Sequence, residues 1–280
     1  HMIGNSLAWF RGKGDWLFLG NAYNNTVAKL KLATVPSEKQ IAITRELFTT
    51  LCSDCAQYKT RVILIVGPDK PSIYPEYLPD VLVPSHKKYL SYFLNELKKV
   101  NNLTVYDPTD DLLKSKRLEG LLYGVSDTHW NNRGAFLAYR GFSKIAGLPV
   151  PEVSFRPGSG HSGDLIEIAK LKDLSSSSDG NWDVVWKNKP NWTEKEVPHE
   201  QKTSFGSTTV VINPKPLSEK TVWVIGDSFS LALKQYFNAT FKEIYYVGHW
   251  DGKHNNISQQ LAVAKPKPDL LVVVKVERSF

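Results

Sequence analysis

Two short polar motifs hold the residue types of acyl-transfer chemistry. Gly226-Asp227-Ser228-Phe229-Ser230 follows the apolar, β-branched run Thr221 to Gly226, and the residues after it have helical spacing. A buried strand that turns sharply into a helix holds the serine up at the carboxyl edge of a sheet. Its backbone N–H then lies at the helix start, where unpaired donors and the positive dipole end favour an oxyanion. Upstream, Asp127-Thr128-His129 places a carboxylate and an imidazole two apart in one turn ahead of another helix. A serine hydroxyl is a poor nucleophile near neutral pH. It needs a neutral imidazole to take its proton, oriented by a carboxylate on the other ring nitrogen. The pattern predicts Ser228 as nucleophile, His129 as general base and Asp127 as the orienting acid. Each motif alone also has an ordinary structural use, with Asp227 or Ser228 capping one helix and Asp127 the other. The prediction rests on their joint presence at loop positions that one sheet edge could gather.

The elements that would position them alternate between strand and helix. Arg61 to Val66 and Leu270 to Val276 are continuous apolar runs, as expected of strands buried on both faces of a parallel sheet. Further strands are predicted at Trp16–Leu19, Leu103–Tyr106, Thr221–Gly226 and Glu243–Val247. Helices are predicted from about Ser37, an N-cap after Pro36, and at Ser85–Val100, Asp110–Glu119, Asn132–Ala146, Ser230–Phe237 and Asn256–Ala264. Gly67 to Pro79 is too rich in proline for a regular element and reads as a loop leaving the carboxyl end of a strand, where open α/β sheets place their ligands. Pro151 to Pro216 differs in texture, with frequent glycine, serine and proline, the run Ser175 to Ser178, and Trp182, Trp186 and Trp192. It reads as an excursion of short strands and loops within one catalytic domain spanning residues 1–280. The predicted fold is a three-layer α/β/α sandwich with a mainly parallel sheet.

Composition narrows the function classes. A chain of 280 residues with 41% hydrophobic content can bury roughly three quarters of its unfolded surface, enough for one large core. The net charge of +7 raises nucleic acid, anionic membrane and acidic polymer as partners. The lysine pairs are short and far apart, and no arginine-rich tract or zinc pattern accompanies them, which argues against a nucleic-acid reader. The two cysteines, Cys52 and Cys55, fall late in a predicted helix and not at a helix start after a strand, so a thioredoxin-like role is disfavoured. A disulfide between them or a pair of half-buried thiols both stay open. No run of 18 apolar residues occurs, and His1-Met2 reads as a cloning remnant, so nothing here locates a leader or anchor.

Several blocks, in order, resemble the SGNH-hydrolase-like polysaccharide O-acetyltransferases of the alginate-acetylation (AlgJ/AlgX) type. They are Gly14-Asp15-Trp16-Leu17-Phe18, Asp69-Lys70 with Ile73 to Pro79, Asp127-Thr128-His129-Trp130-Asn131, Ser162-Gly163-Asp164-Leu165, Gly226 to Ser230 and Val276-Glu277-Arg278. The resemblance implies the same roles for Ser228, His129 and Asp127, and a permuted motif order in which the Asp/His pair precedes the serine. It adds Asn131, Lys70, Tyr74 and Arg278 as candidates for oxyanion or substrate contacts. Because the chain stops soon after Arg278, the resemblance is AlgJ-like, with no carbohydrate-binding module expected. No cofactor or metal is implied.

The resulting expectation is an enzyme that moves acetyl groups onto hydroxyls of an exported polysaccharide through an acetyl-serine. The resemblance also implies a periplasmic or cell-surface location and a membrane-bound O-acyltransferase as acetyl supplier, with the full-length protein anchored or exported. A basic surface would suit an anionic acceptor such as a uronate, and the tryptophans of the excursion could stack on sugars or serve the core. An acetylesterase using the same triad, or a non-catalytic polysaccharide-binding scaffold, are the alternatives.

Overall fold

The computed structural model describes residues 7–158, 163–171, 180–196, 209–247 and 257–280. The chain begins with a hairpin, β1 (Trp9–Arg11) and β2 (Leu17–Leu19), followed by α1 (Thr26–Leu30) and α2 (Glu38–Gln57). Ser37 caps α2 through a reciprocal pair with Gln40, satisfying two orphan donors at the helix start. Next come β3 (Arg61–Gly67), α3 (Lys70–Ile73), α4 (Leu90–Leu97), β4 (Leu103–Tyr106), α5 (Thr109–Glu119) and α6 (Asn132–Ala146). Then follow β5 (Val153–Pro157), α7 (Asp164–Ala169), β6 (Trp182–Trp186), β7 (Thr193–Glu196) and β8 (Thr209–Ile212). The chain closes with β9 (Ser218–Gly226), α8 (Ser230–Thr240), β10 (Phe241–Val247), α9 (Ile257–Val263) and β11 (Leu270–Val276).

The central sheet runs β4-β3-β11-β9-β10-β8-β7. Its first five strands are parallel, and β8 joins β10 antiparallel. Strand side chains alternate between faces, and both faces are apolar. Ile63, Ile65, Val222, Val224, Val272 and Val274 face the side packed by α5, α6 and α8. Val62, Leu64, Trp223, Ile225, Leu271 and Val273 face the side packed by α2, α4 and α9. This double burial explains the continuous apolar runs in the sequence and gives the three-layer sandwich.

Two expectations need correction. Gly67 to Pro79 contains the short helix α3 and a 3₁₀ turn at Pro75–Tyr77. Pro71 and Pro75 stand at the first positions of these turns, where a missing N–H leaves no hydrogen bond unmade. The helix predicted over Ser85–Val100 is only Leu90–Leu97: the Ser85 N–H is taken by the Leu30 carbonyl, and Lys99 and Val100 close with tighter bonds to Glu96 and Leu97. The excursion also contributes to the main sheet, because Val211 of β8 packs in the core while β7 and β8 extend its edge. Ser162, Ser175–Ser178 and the first residue of the helix expected from Asn256 lie outside the described residues.

Cys52 and Cys55 are buried free thiols whose pKa is pushed up to about 12, by desolvation above all. Among the described residues, no helix is long and apolar enough to cross a membrane.

Candidate active site

The carboxyl edge of the sheet gathers the two motifs. β9 ends at Gly226, and α8 begins at Ser230, so Asp227-Ser228-Phe229 makes the whole turn. Asp227 fixes that turn from inside. Its carboxylate accepts the Phe229 N–H at 3.0 Å and the Val276 N–H at 2.6 Å, while its own N–H donates to the Val274 carbonyl. Burial raises its pKa, and the hydrogen bonds from Val276 and Phe229 act against that rise. The elbow is thereby tied to the end of the neighbouring strand β11. Phe229 fills the space above Gly67 at the end of β3, where an added Cβ would stand 2.5 Å from the phenyl ring.

The second motif docks on the same turn. The Trp130 indole N–H donates to the Phe229 carbonyl at 3.0 Å, and the His129 and Phe229 rings lie 5.1 Å apart. This contact brings His129 Nε2 to 2.7 Å from Ser228 Oγ and leaves Nδ1 2.7 Å from Asp127 Oδ1. Burial alone would raise the Asp127 carboxyl. The hydrogen bond and charge of His129, with backbone N–H groups of His129 and Asp164, outweigh it and hold the pKa at about 2. An ionised carboxylate only accepts, so Nδ1 carries the proton and Nε2 is left as an acceptor for the Ser228 hydroxyl. No described residue accepts the Ser228 N–H, which leaves it at the α8 entrance as a donor.

A second carboxylate, Asp164, completes this turn, and motif reading assigned it no role. It accepts the Thr128 N–H at 2.7 Å and the Thr128 hydroxyl, and its Oδ2 lies 3.5 Å from His129 Nδ1. Its own N–H donates to Asp127 Oδ2 at 3.4 Å. Burial, and then the Asp127 charge, raise its pKa. Gly163 permits the approach, since a Cβ there would lie 2.2 Å from the Ser126 carbonyl oxygen. The sequence signal was its place in a glycine-aspartate block; only the fold reveals that the block meets Thr128. Asp127, His129 and Asp164 present ligand atoms within 4.8 Å of one another, a spacing that could hold an ion. Those atoms are engaged with one another and with Thr128 and Ser228.

The four further candidates scatter. Asn131 borders the groove beside Ser228, but its amide is committed to structure. The oxygen caps α6 at the N–H groups of Arg133 and Gly134, and the nitrogen donates to the Leu121 and Gly180 carbonyls. Lys70, Tyr74 and Arg278 line neither of the two cavities that Ser228 borders. The Lys70 ammonium donates to the Gly124 and Val125 carbonyls just before the Asp127 turn. The Tyr74 hydroxyl accepts the Leu122 N–H, and burial pushes its pKa up to about 12. Arg278 pairs with Asp69 and lies over the Phe229 ring. All three side chains hold loops that carry the site.

The first cavity, about 550 Å³, opens on the His129 side and is bordered by Asn132, Trp182 and Asp183. The second, about 340 Å³, lies between Ser228, Tyr246 and Lys234. Leu231, 70% exposed, borders both.

A family model for the SGNH hydrolase-like domain of acetyltransferase AlgX matches residues 10–245. No curated protein sequence matches significantly. Solved structures share the fold at low identity. Bacillus cereus PatB1 with a sulfonyl adduct gives a TM-score of 0.71 at 14% identity, covering 96% of this chain and 96% of that one. The O-acetyltransferase domain of Pseudomonas putida AlgJ gives 0.62 at 17% identity, covering 97% and 91%. A DHHW family protein from Eubacterium siraeum gives 0.65 at 16% identity, covering 88% and 87%.

Proposed function

The chain belongs to the SGNH hydrolase-like family of AlgX acetyltransferases, and from that premise we propose that it transfers acetyl groups to hydroxyls of an exported polysaccharide through an acetyl-serine. The observation that carries this reading is the unbroken relay from Ser228 Oγ through the His129 ring to Asp127, each link 2.7 Å long.

In the first half-reaction the Ser228 oxygen attacks the acetyl carbonyl carbon of a donor ester while its proton passes to His129 Nε2. The negative charge that develops on the carbonyl oxygen is met by the Ser228 N–H, and one such donor contributes about 3 kcal/mol. The donor's leaving oxygen takes the proton from Nε2 as its bond to carbon breaks, leaving acetyl-Ser228. In the second half a sugar hydroxyl gives its proton to Nε2 and attacks the same carbon. Ser228 Oγ then leaves and recovers the proton. Asp127 stays ionised and stabilises the imidazolium at each stage. Asp164 grips Thr128 and so holds the turn between the two groups.

The acetyl supplier in this scheme is a membrane-bound O-acyltransferase, and the site of action is periplasmic or at the cell surface. Mass spectrometry after exposure to an activated acetyl ester tests the proposal. The protein should gain one acetyl on Ser228, lose that gain in Ser228→Ala, and pass the group to an oligosaccharide faster than to water. Release to water alone would make it an esterase; no adduct at Ser228 would remove the acyl-enzyme route.

A further inference from the structure

We propose that the groove on the His129 side of Ser228 is the acceptor subsite and that it takes an uncharged pyranose ring stacked on Trp182, with a uronate disfavoured. This deepens the acyl-transfer reading and rests on it.

The three tryptophans of the excursion part company in the fold. Trp186 and Trp192 pack against the core, with Trp186 6.0 Å from Tyr236. Trp182 instead borders the groove that holds Ser228 and His129. Its position is fixed on three sides. The indole N–H donates to the Leu121 carbonyl at 3.0 Å, its own carbonyl accepts from the Asn132 amide at 2.7 Å, and the Arg133 guanidinium lies 3.5 Å from the ring centroid. A ring already immobilised loses little entropy when a ligand stacks on it. An aromatic surface ringed by a few polar side chains suits a sugar, whose C–H face is apolar and whose edge is hydroxylated.

Charge decides which sugar. The chain as a whole carries +7, yet among the described residues that border this groove there is no lysine or arginine, the Arg133 guanidinium lying over the Trp182 ring, whereas the carboxylates of Asp127 and Asp183 do border it. Asp183 is exposed at the rim and 3.5 Å from Arg156, held by the β5–β6 ladder. It can accept from a sugar hydroxyl and would repel a sugar carboxylate. Lys234 borders the second cavity and is paired with Glu194.

Binding is measured on Ser228→Ala protein, so that catalysis plays no part, by calorimetry and tryptophan fluorescence with cello-oligosaccharide, chito-oligosaccharide and oligouronate. The neutral oligomers should bind, and the oligouronate should bind roughly tenfold or more weakly. Trp182→Ala should weaken neutral binding by about tenfold, and Trp182→Phe should restore part of it. Asp183→Lys, at an exposed position that folding tolerates, should shift the preference toward the oligouronate. Equal or tighter oligouronate binding, an unchanged ratio in Asp183→Lys, or full neutral binding in folded Trp182→Ala would each overturn the subsite. Acetylation of Ser228 in unaltered protein reads the acyl-transfer reading separately: an adduct without neutral-sugar binding removes the subsite alone, and binding without an adduct removes the acyl-enzyme alone.

Discussion

At the His129 ring two carboxylates meet one nitrogen, and they respond to protons in opposite directions. Asp127 is held at about 2, below its ordinary value of 3.8, so its contribution to stability is complete above the ordinary value and is lost as pH falls through the lower one. Asp164 is raised by burial and by the Asp127 charge; its ionisation opposes folding, and that penalty is relieved as pH falls. The two effects offset each other in acid. Asp164→Asn removes the relief and keeps the Asp127 loss, so denaturant unfolding between pH about 6 and about 2 should show a steeper acid decline than the unaltered protein. Asp127→Asn should lower the transfer rate on the order of ten-thousandfold with little change in far-UV circular dichroism, because an amide no longer enforces the tautomer that leaves Nε2 free. A rate within tenfold of the unaltered protein would mean that Asp164 can orient the imidazole by itself.

Among the elements, the join between β9, α8 and β11 sets the height of Ser228. Asp227 is the join, since its buried carboxylate receives N–H groups from both Phe229 and Val276. Asp227→Ala should destabilise the fold by about 1–3 kcal/mol, the cost of leaving such donors unpaired. Activity measured well below the melting transition should fall as well, because the elbow loses its tie to the strand. Asp227→Asn, which keeps an acceptor, should fall between the two in melting temperature. The elbow was legible because a buried strand, a small polar triplet and an amphipathic helix each have a local signature. The true length of α4 was not, since the Leu30 carbonyl that captures the Ser85 N–H lies on a different part of the chain.

On the scale of the molecule, the layer of helices remote from Ser228 seals Cys52 and Cys55 against β3 and β11. Desolvation raises both thiols, and a thiol without thiolate character is a poor nucleophile. Alkylation by N-ethylmaleimide should therefore be slow in the native protein and become rapid in step with global unfolding in urea. The same three layers explain what could be read in advance. Apolar runs determined the buried strands, helical spacing determined α2, α6 and α8, and a serine, a histidine and an aspartate in two turns named a relay. These are local patterns, carried by neighbours along the chain. Tertiary structure alone decided that Asp164 reaches Thr128, that Lys70, Tyr74 and Arg278 brace loops, and that the groove beside Ser228 is lined by carboxylates in a basic protein. Each of those depends on segments far apart in sequence meeting at one sheet edge, and neither spacing nor composition records which side chains face each other there.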